Sequence, residues 1–319
     1  MNIVYLGSGQ FGIPSLEAIE RSSHRIDLVV SQPASPAGRG RRPRPTPMAE
    51  WAAQRDMPLI ETPCCDAPPV IERIAAAGPD LIVVIAFGQR IGRTLIDLPP
   101  RGIINVHASL LPKYRGAAPI NWAIINGETR TGVSIITVCD RIDAGDVLAE
   151  RATDIAPRET AGELHDRLAE LAAPLLVETL DRIADGTATY TEQDHCRATA
   201  APKLHKSAGL LDFNLPAEVV ERRIRGLWPW PCACCTFHSA KTGRSIPVAI
   251  AAAEVVEPFD PTPRPPGMLD RDMCVVCGTG ALQITRIKPA CGRLMKFRDF
   301  VNGQHAACGD AFTSDLASL

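Results

Sequence analysis

Short apolar runs separated by longer polar or helical stretches constrain the first half of this chain more than any other feature. Asn2–Leu6, Ile26–Ser31, Leu81–Phe87, Ile103–Val106 and Val133–Val138 each read as a strand, and Ile13 to Arg21 reads as a helix between the first two. Runs this apolar need cover on both faces, and the intervening helices supply it. Alternation of that kind predicts an α/β fold with a doubly wound, mostly parallel sheet. A long helix opens at Thr160, where Thr160 and Glu163 form a capping box and Leu164, Leu168, Leu171 and Leu175 line one face. Pro174 is expected to kink it and Gly186 to cap its end.

After Gly186 the periodicity is lost, and residues 189–206 read as a linker. A helix over Pro216 to Arg225 follows, then short strands broken by proline and glycine, as in a small β-barrel. The expected division is 1–188, the linker, and 207–319. At 319 residues and 45% hydrophobic content, each part can bury its own core. No apolar run approaches the ~20 residues that span a bilayer. The opening MNIVYLG is too short for a signal-peptide core. A cytoplasmic monomer is expected. The formal net charge is -2, which excludes a global basic field. Residues 203–319 alone carry 14 Lys and Arg against 11 Asp and Glu, too mild an excess to argue for nucleic acid unaided.

The chain has 11 cysteines, scattered through a length that rules out a small disulfide scaffold. Cys232-Ala-Cys-Cys235 with Cys274-Val-Val-Cys277 is the one metal-like grouping. The second pair sits in a strand-like run whose spacing sends its thiols to opposite faces, unlike a zinc knuckle. The expectation is buried free thiols and no metal.

Chemistry concentrates between Asn105 and Pro119, NVHASLLPKYRGAAP. This string follows a buried strand, and open α/β sheets place ligands at strand carboxyl ends. Asn105 and His107 are two apart, so on an extended chain they share a face. One offers an amide to a developing oxyanion, the other an imidazole that handles protons near neutrality. A carboxylate, Asp143, follows the next apolar strand in CDRIDAGDVL. Amide, imidazole and carboxylate without a Ser or Cys nucleophile point to direct group transfer between two bound substrates. The first turn, Gly7-Ser-Gly9-Gln-Phe-Gly12, matches the dinucleotide fingerprint and raises an NAD-dependent dehydrogenase as a rival. That fingerprint expects an acid at the end of the second strand. Here the strand ends Val30-Ser31-Gln32, so tight strand-to-helix packing is the better account of the glycines.

The Asn-x-His pair, the SLLP turn, the RGAAP turn and the Asp-x-Gly loop, in this order, resemble the folate-dependent formyltransferases, and methionyl-tRNA formyltransferases above all. GSGQFGIPSLEAI, PAGRGRRPRPTP, APKLHK and PWP extend the resemblance nearly end to end. It implies a Rossmann-like formyltransferase domain followed by an OB-like β-barrel that contacts tRNA. The implied donor is 10-formyltetrahydrofolate and the implied acceptor the α-amino group of initiator methionyl-tRNA, used in translation initiation. Asn105, His107 and Asp143 take the catalytic positions. Ser109, Leu110, Leu111 and Pro112, with Phe87, Gly88 and Ile91, fall where folate is held. Arg39, Arg41, Arg42 and Arg44 form a loop free of acids from Gln32 to Met48, matching the arm that approaches tRNA. Aminosugar-nucleotide N-formyltransferases are the alternative and lack this run; glycinamide ribonucleotide enzymes are much shorter. The chain departs from the family where Trp228-Pro-Trp-Pro231 leads into the cysteine cluster.

Overall fold

A computed structural model describes residues 1–37, 40, 42–257 and 263–314 of the protein. They fall into two compact units: Met1–Pro119 with Arg130–Asp154 and Leu164–Pro202, and Ile120–Thr129 with Ile155–Glu163 and Lys203–Leu319.

The first unit is built on β1 (Asn2–Gly7), β2 (Arg25–Ser31), a short hairpin of β3 (Ser35–Ala37) and β4 (Arg42–Arg44), β5 (Leu59–Glu61), β6 (Leu81–Ile85), β7 (Ile103–His107), β8 (Arg130–Thr137) and β9 (Val147–Asp154). Helices α1 (Ile13–Glu20), α2 (Pro47–Ala53), α3 (Pro68–Ala76) and α4 (Arg93–Ile96) connect them; α5 (Pro119–Ile125), after β7, belongs from Ile120 onward to the second unit. Seven strands form one sheet in the order β5-β2-β1-β6-β7-β8-β9. The pairs from β5 to β7 are parallel, as the apolar runs require. β8 runs antiparallel to both β7 and β9, a direction that hydrophobic periodicity cannot encode. The chain leaves β1 to one side for β2 and returns on the other side at β6. The carboxyl ends of β1 and β6 therefore flank the topological switch point, where such sheets bind ligands.

Packing explains the two outer glycines of the first turn. A Cβ on Gly7 would lie 2.8 Å from the Ile85 carbonyl oxygen, and one on Gly12 would lie 2.5 Å from the Tyr5 hydroxyl. At the end of β2 the Ser31 hydroxyl sits 2.6 Å from that of Thr46, which also caps α2 by accepting from Ala49 N–H. No acid stands there, which leaves the dinucleotide reading without its ribose ligand.

Helix α6 (Ala161–Ala184) begins at the expected capping box: Thr160 N–H donates to Glu163 Oε2 at 2.9 Å, and Glu163 N–H to Thr160 Oγ1 at 3.3 Å. Leu164, Leu168 and Leu175 are buried and Leu171 half-buried. The helix is continuous through Pro174, which is exposed, so water can reach the carbonyl that the missing N–H leaves free. Gly186, at φ 71°, ends it. The aperiodic stretch beyond is hydrogen-bonded into the first unit: Thr191 exchanges bonds with Val147, and Ala201 N–H reaches the Arg115 carbonyl at 2.7 Å.

The second unit holds α7 (Ala217–Leu227), β10 (Ala233–His238), β11 (Ser245–Val256), β12 (Val275–Val276), β13 (Ala281–Pro289), β14 (Met295–Lys296), α8 (Phe297–Gln304) and β15 (Ala311–Thr313). Its antiparallel sheet runs β12-β13-β11-β10-β15. Met268 bridges to Ala311 beside one edge and Leu269 to Val275 at the other, so these two residues nearly close the sheet into a barrel. Phe237, Phe300 and Phe312 fill its interior, with the first two rings edge-on at 5.2 Å. Among the described residues no helix is long and apolar enough to cross a membrane.

The cysteines only partly follow expectation. All are free; Cys65, Cys235, Cys274 and Cys277 are buried, but Cys64, Cys196, Cys291 and Cys308 are exposed. Cys274 and Cys277 both point inward, because β12 is only the two residues between them. Burial pushes the Cys65 and Cys277 thiols up to about 12 and Cys274 to about 11, and raises Cys235 further. Among the described residues no three His, Cys, Asp or Glu side chains are placed to hold a metal ion. Since the thiolate is the reactive form, titration with a disulfide reagent at pH 8 should show at most seven thiols before denaturation, the 11 less the four buried ones. Rapid reaction of all of them would contradict this packing.

Candidate active site

β7 delivers Asn105 and His107 to the same side of the sheet, the first half-buried and the second 5% exposed. The loop after β8 brings Asp143 against both. Its Oδ1 lies 3.4 Å from Asn105 Nδ2 and its Oδ2 lies 3.6 Å from His107 Nδ1. Gly116 N–H donates to the same Oδ2 at 2.8 Å. His107 Nε2 is 2.9 Å from the Tyr114 carbonyl oxygen, which can only accept. Nε2 therefore carries a proton, and Nδ1 is the ring atom that meets the carboxylate.

The backbone beneath these groups is held in uncommon conformations. Asp143 and Tyr114 have φ of 51° and 62°, in the left-handed region that costs non-glycine residues energy. Gln193 secures the first, donating from Nε2 to the carbonyls of Asp143 at 3.0 Å and Gly145 at 2.6 Å. Thr199 secures the second, its hydroxyl accepting from Tyr114 N–H at 2.8 Å. Gly116 is required where it stands: φ is 126° and a Cβ would lie 2.5 Å from the Ala201 carbonyl oxygen.

This arrangement sets an amide donor and a carboxylate acceptor over one space. The Asn105 amide nitrogen has two hydrogens. One is directed at Asp143 and the other is available to a ligand oxygen. The carboxylate can take a proton from an attacking nucleophile while His107 stays oriented between Asp143 and Tyr114.

The other sequence-selected residues are placed as follows. Ser109 is buried, donating its hydroxyl to the Lys113 carbonyl at 2.7 Å, and Leu111 N–H donates to Ser134 Oγ at 3.1 Å. Leu110 and Pro112 are half-buried, and Leu111 is buried. Phe87, 2% exposed, packs in the core with Val4, Leu6, Val84 and the half-buried Ile91. Its carbonyl is taken by Gln32 Nε2 at 2.7 Å, and Gly88 follows at φ 72°. These residues lie at the switch point, since Ser8 and Gly9 N–H both donate to the Ala86 carbonyl at 3.3 Å. Arg42 and Arg44 are exposed on β4. Arg39 and Arg41 lie outside the described residues.

Sequence reasoning missed Gln193 and Thr199. They stand in the aperiodic stretch, and the burial of Gln193, at 5% exposure, arises only from tertiary contacts.

Residues 1–180 match the formyl transferase domain and residues 203–305 the formyl transferase C-terminal domain. The methionyl-tRNA formyltransferase of Solibacter usitatus is 40% identical over 95% of this chain and 96% of its own. That of Agathobacter rectalis is 38% identical over 98% and 100%. Among solved structures, the Helicobacter canadensis N-formyltransferase, in complex with folinic acid and dTDP-3-aminofucose, has a TM-score of 0.63 at 14% identity, covering 88% of this chain and 98% of that one. Aquifex aeolicus HypX with tetrahydrofolic acid has a TM-score of 0.58 at 18% identity, over 94% of this chain and 46% of that one. At these identities the two structures share the fold alone. Full-length likeness to the Solibacter and Agathobacter enzymes, in both domains, is a closer kinship: the chain belongs to the methionyl-tRNA formyltransferase family.

Proposed function

We propose that this protein moves the formyl group of 10-formyltetrahydrofolate to the α-amino group of methionine esterified to initiator tRNA, in the cytoplasm. The observation that carries the reading is the meeting of Asn105, His107 and Asp143 around one space in a chain of this family. A free α-amino group has a pKa of about 7.7–8.0, so it needs little help to become nucleophilic. Its nitrogen attacks the formyl carbon, and the second Asn105 N–H donates to the oxyanion that forms. Asp143 accepts the ammonium proton, with His107 steadying and relaying the charge. Collapse breaks the bond between the formyl carbon and folate N10, and the proton leaves on N10. No step requires a metal. Ser109 to Pro112 and the segment Phe87, Gly88 and Ile91 are the folate side of this reading, the latter through its backbone. Residues 1–188 carry the chemistry, and 207–319 contact tRNA.

Arg39, Arg41, Arg42 and Arg44 then meet phosphates of the acceptor stem. Each phosphate contact on duplex contributes about 0.9 to the salt slope. Arg41→Ala with Arg42→Ala should raise the KM for Met-tRNA and flatten its salt dependence by about one or two units. Loss of Arg39 should hurt most, and the KM for formyl-folate should not move. Unaltered KM and slope would make the loop plain solvated surface and bring forward the aminosugar alternative, which at present rests on a shared fold at 14% identity.

A further inference from the structure

A cluster of cations beside Asp143 has more donors than acceptors. Arg115 Nη2 lies 2.9 Å from His195 Nδ1, and Arg141 Nη2 lies 2.8 Å from His195 Nε2. A neutral imidazole accepts at one nitrogen and an imidazolium at neither. At most one of these contacts is therefore a hydrogen bond, and the other sets N–H against N–H. Arg115 is also bound by Gln193 Oε1, at 2.6 Å from Nη2 and 3.2 Å from Nε. Among the described residues neither arginine has a carboxylate partner, and Asp143 turns its own carboxylate to Asn105, His107 and Gly116. The group is half-buried at Arg115 and His195 and open to solvent at Arg141.

We propose that Arg115, His195 and Arg141 form an oxyanion subsite that takes a phosphodiester of the single-stranded 3′ end of the acceptor RNA. The two unshared oxygens of a phosphodiester supply the acceptors the cluster lacks. The placement selects the acceptor over the donor. Gln193 joins Arg115 directly to the Asp143 loop, and Asp143 is the group assigned to the amine. A phosphate held there belongs to the molecule that carries the amine, one nucleotide or so away. This rests on the function proposed above. It concerns residues outside the arginine loop, and His195 comes from a stretch that sequence periodicity left without a role.

The test uses the whole protein and Arg141, whose exposed side chain can be removed without opening the core. Arg141→Ala should raise the KM for Met-tRNA about tenfold and lower the salt slope by about 0.7, the single-strand value per contact. It should leave kcat and the KM for formyl-folate unchanged. In parallel, fluorescence anisotropy would measure binding of a deacylated acceptor microhelix and of the same RNA with neutral methylphosphonates in its 3′ single strand. The wild type should lose affinity on that neutralisation and Arg141→Ala should lose much less, the coupling of a shared contact. Equal losses, or an unmoved KM for Met-tRNA, overturn the subsite. So does a rise confined to the KM of polyglutamylated folate, which would make a folate carboxylate the occupant. If the wild type formylates no Met-tRNA, the proposed function falls, while the binding comparison still decides whether these residues hold a phosphate.

Discussion

Asn105→Ala will lower kcat by roughly 10²–10³-fold, the usual cost of deleting one oxyanion donor, and leave the KM for Met-tRNA nearly unchanged. The split follows from geometry. Asn105 is half-buried in the middle of β7, and its amide nitrogen makes a long 3.4 Å approach to Asp143. Its removal opens no large cavity and should not unfold the sheet. What disappears is the N–H that meets charge developing on the formyl oxygen, an interaction stronger in the transition state than in the ground state. Single-turnover rates and a melting curve on the same preparation check this. An unchanged kcat would reduce Asn105 to a structural residue of β7.

Asp143→Asn will be as damaging, by roughly 10²–10⁴-fold in kcat, the range for a positioned general base. Removal of the charge is half of the effect. Both carboxylate oxygens face N–H donors: Asn105 on one side, Gly116 and, when its Nδ1 is protonated, His107 on the other. An amide must turn its NH2 toward one side, setting donor against donor at a cost of about 1–3 kcal/mol. Raising the pH supplies more free amine but does not restore that acceptor. The pH–rate profile of the variant should stay far below the wild type across the alkaline limb. Full recovery at high pH would leave Asp143 a base with no part in positioning His107.

The residues most legible in the sequence are those whose role depends on period. Asn2–Gly7 and Leu81–Ile85 are buried on both faces, so continuous apolar runs announced them. Asn105 and His107 share a face because strand side chains alternate, and that follows from their spacing alone. The direction of β8 did not show, since an antiparallel and a parallel buried strand have the same apolar pattern. Nor did the carbonyl of Tyr114, which fixes the His107 tautomer; any residue has a carbonyl, and what matters is its φ of 62°. Gln193, Thr199 and His195 lay hidden for a related reason. They act from an irregular segment that gains its meaning only when it folds back on Arg115 and Val147. The GxGxxG turn is the opposite case, a legible motif whose outer glycines, Gly7 and Gly12, are packed against Tyr5, Met48 and Ile85 and whose Gly9 faces Ala86.

The most direct test of the account supplies one enzyme with 10-formyltetrahydrofolate and two competing acceptors, initiator Met-tRNA and a dTDP-linked amino sugar. Labelled formyl is expected on the methionyl amine and none on the sugar, with Asn105→Ala abolishing most of the transfer. Formylation of the sugar alone would contradict it.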